Sequence, residues 1–417
     1  MFPQIKEESE IGGFEIIKEI NRGSFSSVYK CRNKSNCTKG LEEKKLYALK
    51  IFTVEDEYKY IPDAELKLLS DLGAHKNVSK IFAIVNLRNN LREKFRAAIM
   101  PLALFDLSDM INECGKLPAD HGNNAFLQVC SGLDHLHKKE IAHGDVKPNN
   151  ILVYVEDSDL CYKLTDFDGF QADGFDNEVH TTKEYSPPEF VLAEKYTLKS
   201  DIWSLACTFI ELRTGICLFD DDQDYSDDDE SSICDDEEHP GSFVYNKLKD
   251  LLRINTREEE SKEESKEEEK EPKEESKEES KEELKEEDQE NEDGSSCRFS
   301  RESDSDSDDD ILTYEEVRLV KKFVYFLGPF PRNISINFPT LLTRKGFMIN
   351  QEKDGSKENL LDFLVQELGA FDARQIFHVV VPMLDYSEEN RPTVKKLLDD
   401  TKCISYVDEV IKETKEH

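Results

Sequence analysis

Five residues between positions 143 and 166 have the types and spacing for acid–base and metal chemistry: His143, Asp145, Lys147, Asn150 and Asp166. Asp145-x-Lys147-x-x-Asn150 sets a carboxylate base, a cation and a metal-ligating amide on one tight loop. Apolar residues alternate in Ile151–Tyr154 and again in Cys161–Leu164, on either side of the polar turn Glu156–Asp159. This pattern predicts a hairpin whose return strand brings Asp166 back beside the loop. The plain alternative is a solvated acidic loop. The ordered succession of Asp145, Lys147, Pro148, Asn150, hairpin, Asp166 and Phe167 argues against it.

Such a loop needs elements to position it and a place for its substrate. Phe14–Ile20 and Ser26–Cys31 read as two strands joined through Asn21–Val28. A loop whose backbone N–H groups approach phosphates needs small residues. Gly23 meets that need, Asn21 tolerates positive φ, and Ser26 is small, although a plain hairpin turn would look the same. Tyr47–Phe52 is a strand with Lys50 between apolar neighbours; the alternative is a lysine facing solvent. Residues 63–72 form an amphipathic helix with Leu66, Leu69 and Leu72 on one face. Glu65 is its expected ion-pair partner for Lys50, and Glu57 the competitor. A second hairpin is expected from Lys80–Leu87 and Lys94–Met100. Ala119–Lys139 is a long helix burying Phe126, Val129, Leu133 and Leu136, and Asp201–Leu205 opens a nearly all-apolar helix containing Trp203. Helical periodicity returns over Ile311–Leu327, stops at Gly328–Pro331, and recurs over 360–368, 373–384 and 393–399.

Composition bounds the rest. The 417 residues allow two or three domains or one large bilobal one, and 37% hydrophobic content is low for a chain that folds throughout. Residues 220–310 hold 40 Asp/Glu and 13 Lys/Arg, so −27 of the −36 net charge sits there. The tract includes repeats of Ser, Lys and Glu over 258–287 and cannot bury enough surface to offset chain entropy, so disorder is expected, the alternative being a solvated single helix held by i,i+4 charge pairs. It could tether basic partners, present serines for modification, or be a tolerated solubilising loop. The remainder carries only −9, which disfavours nucleic acid as a ligand and suits a basic partner. The ten cysteines form no C-x-x-C pair, so a zinc site is not expected. No apolar signal core or stretch of 18 apolar residues occurs. The expected location is cytoplasmic and/or nuclear, with no membrane partner.

Taken together, these residues resemble a eukaryotic protein kinase over 14–219 and 311–407. The glycine-loop pattern G-x-G-x-x-G-x-V falls on Asn21, Gly23, Ser26 and Val28, with only the middle glycine retained. Ala48 and Lys50 match the phosphate-binding lysine strand. Thr182–Glu189 resembles the end of an activation segment, with Glu189 expected to pair with Arg391. Asp201 is expected to cap and brace the catalytic-loop backbone. Within kinases the closest resemblance is to the serine/arginine-rich (SR) protein kinase family. It rests on Gly23–Val28, on His143-Gly144-Asp145 without the usual arginine, on Asp201–Cys207 continuing through Thr214–Phe219, and on Val381–Leu384 before Asn390–Pro392.

The resemblance implies an α+β bilobal kinase fold: a small β-rich N-lobe (1–102), and a larger α-helical C-lobe in two parts (103–219 and 311–417) around the acidic low-complexity insertion (220–310). It implies transfer of the γ-phosphoryl group of ATP to protein Ser/Thr hydroxyls. Asp145 would act as base and Lys147 would steady the γ-phosphate. Asn150 and Asp166 would hold Mg2+, and Lys50 with Glu65 would place the phosphate tail. Adenine would meet the hinge at the Pro101 carbonyl and the Ala103 N–H. Substrates would be basic, Arg/Ser-rich proteins such as splicing factors, and the enzyme is expected to act as a monomer.

Several positions depart from the family. Asp168 stands in place of a glycine, with Gly169 after it, Ser186 in place of an arginine, and the long insertion interrupts the C-lobe. With Gly144 instead of arginine, no activation-loop phosphate is needed, so activity is expected without phosphorylation of Thr181 or Thr182. A pseudokinase scaffold and an acidic interaction protein are the alternatives from other classes.

Overall fold

The computed structural model describes residues 5, 9–23, 26–34, 41–52, 72–88, 94–156, 159–167, 181–193, 195–220, 312–339, 341–349 and 355–400. Glu57, Glu65, Asp168, Gly169 and the acidic tract from 221 to 311 lie outside them. The chain divides into two units, Met1–Ser232 with Leu312–His417, and Ile233–Ile311. All the described residues belong to the first unit.

Alternating apolar residues build an antiparallel sheet from β1 (Glu10–Ile11), β2 (Phe14–Arg22), β3 (Ser26–Asn33), β4 (Leu46–Phe52), β5 (Ala83–Arg88) and β6 (Lys94–Pro101), in the order β1-β2-β3-β4-β6-β5. Side-chain direction alternates with period two, so one face gathers Phe14, Ile16, Tyr29, Cys31, Leu49, Ile51 and Ile99 into a buried cluster. Each such side chain contributes about 1.5–3 kcal/mol by leaving water. The residues between them, Lys50 included, point to the opposite face. The second hairpin starts at Ala83 rather than Lys80.

Beyond the hinge, β7 (Phe105–Asp106) pairs with β8 (Ile151–Glu156), which pairs with β9 (Asp159–Leu164). Glu156 pairs with Asp159, so the expected hairpin forms with the expected turn. The intervening α1 (Leu107–Cys114) starts on a capping box, in which Asp106 Oδ1 accepts from Asp109 N at 2.8 Å. Neither β7 nor α1 was expected from the sequence, because two strand residues and eight helical ones give too short a period to read. Next, α2 (Ala119–His137) buries Phe126, Val129, Leu133 and Leu136 as expected.

A short helix, α3 (Pro188–Ala193), precedes α4 (Ser200–Thr214), which is buried on almost every side and packs Phe209 on Phe126. Its N-cap is Lys199 without a side-chain bond, and the Asp201 carboxylate caps the backbone at His143 and Gly144 as expected. Trp203, Phe219, Phe323 and Phe326 form an aromatic cluster with ring centroids 4.9–6.2 Å apart. It joins the first turn of α4 and Phe219, five residues past that helix, to α5 (Tyr314–Leu327), so the two borders of the acidic insertion meet in one core. Thr313 and Glu316 box the start of α5, and Gly328 ends it at φ 85°. The short α6 (Arg332–Ser335), then α7 (Lys357–Leu368) and α8 (Ala370–Met383), complete the helical region, and residues 394–400 are helical. Among the described residues, no helix is long and apolar enough to cross a membrane.

Candidate active site

Sheet register arranges the N-terminal half of the site. Residues directly opposite in an antiparallel pair share a face. Asn21 pairs with Val28, Val28 with Lys50, and Lys50 with Ala98, so three predicted residues stand in one row. Gly23 N donates to Ser26 O at 2.8 Å and closes the hairpin tip beside that row. Lys50 is buried, its side chain only 7% exposed, and Nζ lies 2.8 Å from Asp166 Oδ1, joining strand β4 to the residue beyond β9. Whether Glu65 also meets Lys50 lies outside the described residues.

At the hinge, Tyr47 pairs with Pro101, and Leu104 N donates to Val153 O at 2.9 Å. The Pro101 carbonyl accepts the Tyr154 hydroxyl at 3.3 Å; its second lone pair can still take another donor.

The loop from His143 to Asn150 is organised from below by Asp201, which is fully buried. Its Oδ2 accepts from His143 N at 2.8 Å and meets His137 Nε2 at 2.8 Å, and its Oδ1 accepts from Gly144 N at 3.1 Å and from the Tyr196 hydroxyl at 3.0 Å. Burial pushes the Asp201 carboxyl up, but the His137 bond and the donors at His143 prevail and hold it below its ordinary value. Gly144 has φ 92°, a left-handed angle at which an arginine would be strained. Burial pushes the His143 imidazole down, against the pull of Asp201 and its neighbours, so the ring is neutral. Nδ1 then accepts from Asp145 N at 3.3 Å, and Nε2 donates to Thr165 O at 3.0 Å.

Four donors converge on the Asp145 carboxylate. Asn150 Nδ2 and Lys147 Nζ are each 2.8 Å from Oδ2, while Thr182 N (3.0 Å) and Thr182 Oγ1 (2.8 Å) donate to Oδ1. Asn150 Nδ2 also donates to Asp145 O at 2.8 Å, which leaves Oδ1 as the amide atom suited to a cation. Thr165 N donates to Asn150 O at 3.0 Å and ties the approach to Asp166 to this loop. Asp166 itself has φ 64°, a conformation Asp tolerates better than most residues. The backbone of Asp168 and Gly169, which follow it, lies outside the described residues.

The sequence assigns Thr182 no part in the site beyond the start of the Thr182–Glu189 match; the structure puts its hydroxyl on Asp145 and 2.5 Å from Lys147 Nζ. No local signal marks that contact, which spans 37 positions. A Thr181→Ala/Thr182→Ala double variant therefore cannot report on phosphorylation, because it removes a partner of Asp145. Thr181→Ala alone should leave turnover within about twofold, and Thr182→Ala should lower it at least about tenfold through misplacement of Asp145. Steady-state kinetics on phosphatase-treated protein checks both. Ser186 does not present its side chain outward: it is buried, and Oγ donates to Thr182 O at 2.9 Å.

Below this segment the Tyr185 hydroxyl donates to Glu211 Oε2 at 2.5 Å. Burial, then Asp220 and Glu184, push the Glu211 carboxyl up to about 7 against that bond. Between 4.5 and about 7 the folded chain holds a proton that the unfolded chain has lost, so Glu211 erodes stability as pH rises through that window. Glu211→Gln should therefore gain melting temperature relative to wild type as pH rises from 5 to 8; a constant difference would refute this.

The predicted structural bridge is present. Arg391 Nη1 and Nη2 each lie 2.7 Å from one Glu189 oxygen, with further bonds from Arg391 to Lys199 O (3.0 Å) and Asp385 O (2.8 Å).

These features define a phosphotransferase-type site: a lysine–carboxylate pair under a glycine hairpin, facing a carboxylate–lysine–amide loop. The family model of the protein kinase domain matches residues 14–401, and the chain belongs to that family. Kinase domains use ATP and Mg2+. Asp166 and Asn150 offer one carboxylate and one amide oxygen. That fits Mg2+, which takes one or two protein oxygens and completes its shell with phosphates and water.

Proposed function

We propose that the chain is a serine/threonine protein kinase that transfers the γ-phosphoryl group of Mg-ATP to hydroxyls in basic, Arg/Ser-rich protein segments. The observation that carries this reading is the convergence of Lys147, Asn150 and Thr182 on Asp145. A carboxylate so held is oriented to accept a proton from an incoming alcohol. Lys147 would neutralise charge on the γ-phosphate, and its position two residues after Asp145 supports Ser/Thr rather than Tyr acceptors. Lys50 would hold the α- and β-phosphates. Bound Mg2+ supplies electrophilic stabilisation of the phosphate oxygens, and Asp166 with Asn150 would orient it. The hairpin at Gly23 would cover the phosphates, while Pro101 and Ala103 would offer backbone groups to adenine.

Two features support activity without activation-loop phosphorylation. Gly144 carries no charge for a phosphate to neutralise, and the Thr182 hydroxyl is a donor to Asp145, a role that a phosphate on that oxygen would abolish. The acid excess of the chain supports basic substrates, whose rate of capture should fall as salt screens the attraction. A peptide array comparing Arg-Ser, Ser-Pro and acid-flanked serines tests the proposal, with Asp145→Ala as control. Phosphorylation confined to Arg-Ser peptides supports it. Preference for another class removes the substrate assignment, and no turnover on any array supports a scaffold instead.

A further inference from the structure

Residues 72–79 connect the N-terminal part of the chain to the strand that leads to Asp166. Leu72 is helical and buried, and the segment after it pairs with β9: Val78 bridges Leu164 in parallel. Leu164 N donates to Asn77 O at 3.0 Å, and Ser79 N donates to Leu164 O at 2.7 Å. The Asn77 side chain donates to Tyr162 O at 2.9 Å and to Gln128 Oε1 at 2.8 Å. A Cβ at Gly132 of α2 would stand 2.5 Å from Asn77 O, so helix and segment are in close contact. Two residues past Leu164, Asp166 meets Lys50.

Two histidines that the site does not use hold this crossing. The His75 and His135 rings stack at 4.7 Å with planes 15° apart. His135 Nε2 lies 2.8 Å from Leu72 O, which can only accept, so this nitrogen carries a proton. His75 Nδ1 lies 3.2 Å from Asn77 N, which can only donate, so this nitrogen is bare. The arrangement requires a neutral His75. A proton on Nδ1 would face the Asn77 N–H and destroy the bond that shapes the turn.

We propose that the His75–His135 stack is a proton-sensitive latch, which holds residues 72–79 against α2 and β9 when His75 is neutral and releases them when it is protonated. The charged surroundings agree. On α2, Asp134 favours the cation but is itself paired with Lys138 at 2.6 Å. From β9 comes Lys163, and from the segment itself Lys76, whose carbonyl accepts Lys163 Nζ at 2.8 Å. Burial first, then His135, hold the His75 imidazole below its ordinary 6.5, and Lys138 and Lys163 add to the effect against Asp134. A histidine shifted down gives stability that is complete above 6.5 and is lost as pH falls below it towards the folded value. The consequence reaches the site because the same segment fixes Leu164, hence the position of Asp166 relative to Lys50.

The test is amide hydrogen exchange on the full chain at pH 7.4 and 5.6, corrected for intrinsic rates. In wild type, protection at Asn77, Ser79 and Leu164 should fall about three- to tenfold at the lower pH. In His75→Phe, which keeps a ring in the stack but cannot titrate, protection should be independent of pH. Amides in the middle of α4 serve as the control for global unfolding. Wild-type protection unchanged between the two pH values, or a loss that persists in His75→Phe, overturns the latch. If His75→Phe does not fold, His135→Phe decides: removing the neighbouring ring should move the midpoint of the loss upward in pH, and an unmoved midpoint overturns it. Mg-ADP affinity measured alongside should fall more on acidification in wild type than in the variant, by about threefold; equal ratios would overturn the link to Asp166.

Discussion

Asp145→Asn will lower turnover at saturating Mg-ATP by about 10²–10⁴-fold, the range associated with a lost general base. The structure makes the substitution harsh despite its small size. All four groups around the carboxylate are donors: Asn150 Nδ2, Lys147 Nζ, Thr182 N and Thr182 Oγ1. An amide can accept with only one of its two ends, so one edge of the site would set donor against donor. Lys50 and Asp166 lie in a separate pair, and nucleotide affinity should stay within a few-fold of wild type. The informative measurement is therefore the split between Mg-ADP Kd and kcat. Turnover within tenfold of wild type would remove Asp145 from the proposed role. A parallel loss of nucleotide affinity would mean that the variant disturbs the loop as a whole.

The second large effect concerns stability rather than chemistry. Arg391→Ala should destabilise the fold by about 3–5 kcal/mol, because it strips the largely buried Glu189 carboxylate of its bidentate partner and leaves it only the Ser200 hydroxyl. For a domain of this size that is a loss of roughly 10 °C in melting temperature. Arg391 lies beneath Trp203, with its guanidinium carbon 5.2 Å from the ring centroid, and its other bonds go to Lys199 O and Asp385 O. The double variant Glu189→Leu/Arg391→Met removes both charges and keeps the bulk. It should lose less than Arg391→Ala, although two carbonyls still go without donors at about 1–3 kcal/mol each. Thermal melts of the three proteins decide the matter. A double variant as unstable as Arg391→Ala would show that the carbonyl bonds and packing, not the stranded carboxylate, dominate.

Much of this architecture was legible in the chain. The hairpin around 156–159, the long helix before the loop and the Glu189–Arg391 pairing were expected and are present, because alternation and helical period are local signals and the remote motifs have fixed order. Asp145, Lys147, Asn150 and Asp166 could be named for the same reason. Thr182 could not be assigned to Asp145 from the sequence, since 37 positions separate them and nothing local requires the contact. Asp201 was expected at the loop backbone, but its four partners, drawn from His137, His143, Gly144 and Tyr196, come from three separate stretches.

The amino-acid sequence by itself determined which groups are available here: two carboxylates, two lysines and an amide in an order that belongs to protein kinases. It also determined that the charge excess sits in one tract. The tertiary structure decided how those groups are held. It set Lys50 on Asp166 across 116 positions, fixed the neutral tautomer of His143, and turned a threonine into part of the Asp145 environment. Spacing encodes what neighbouring residues can reach, whereas burial and the convergence of distant donors arise only when the chain has packed.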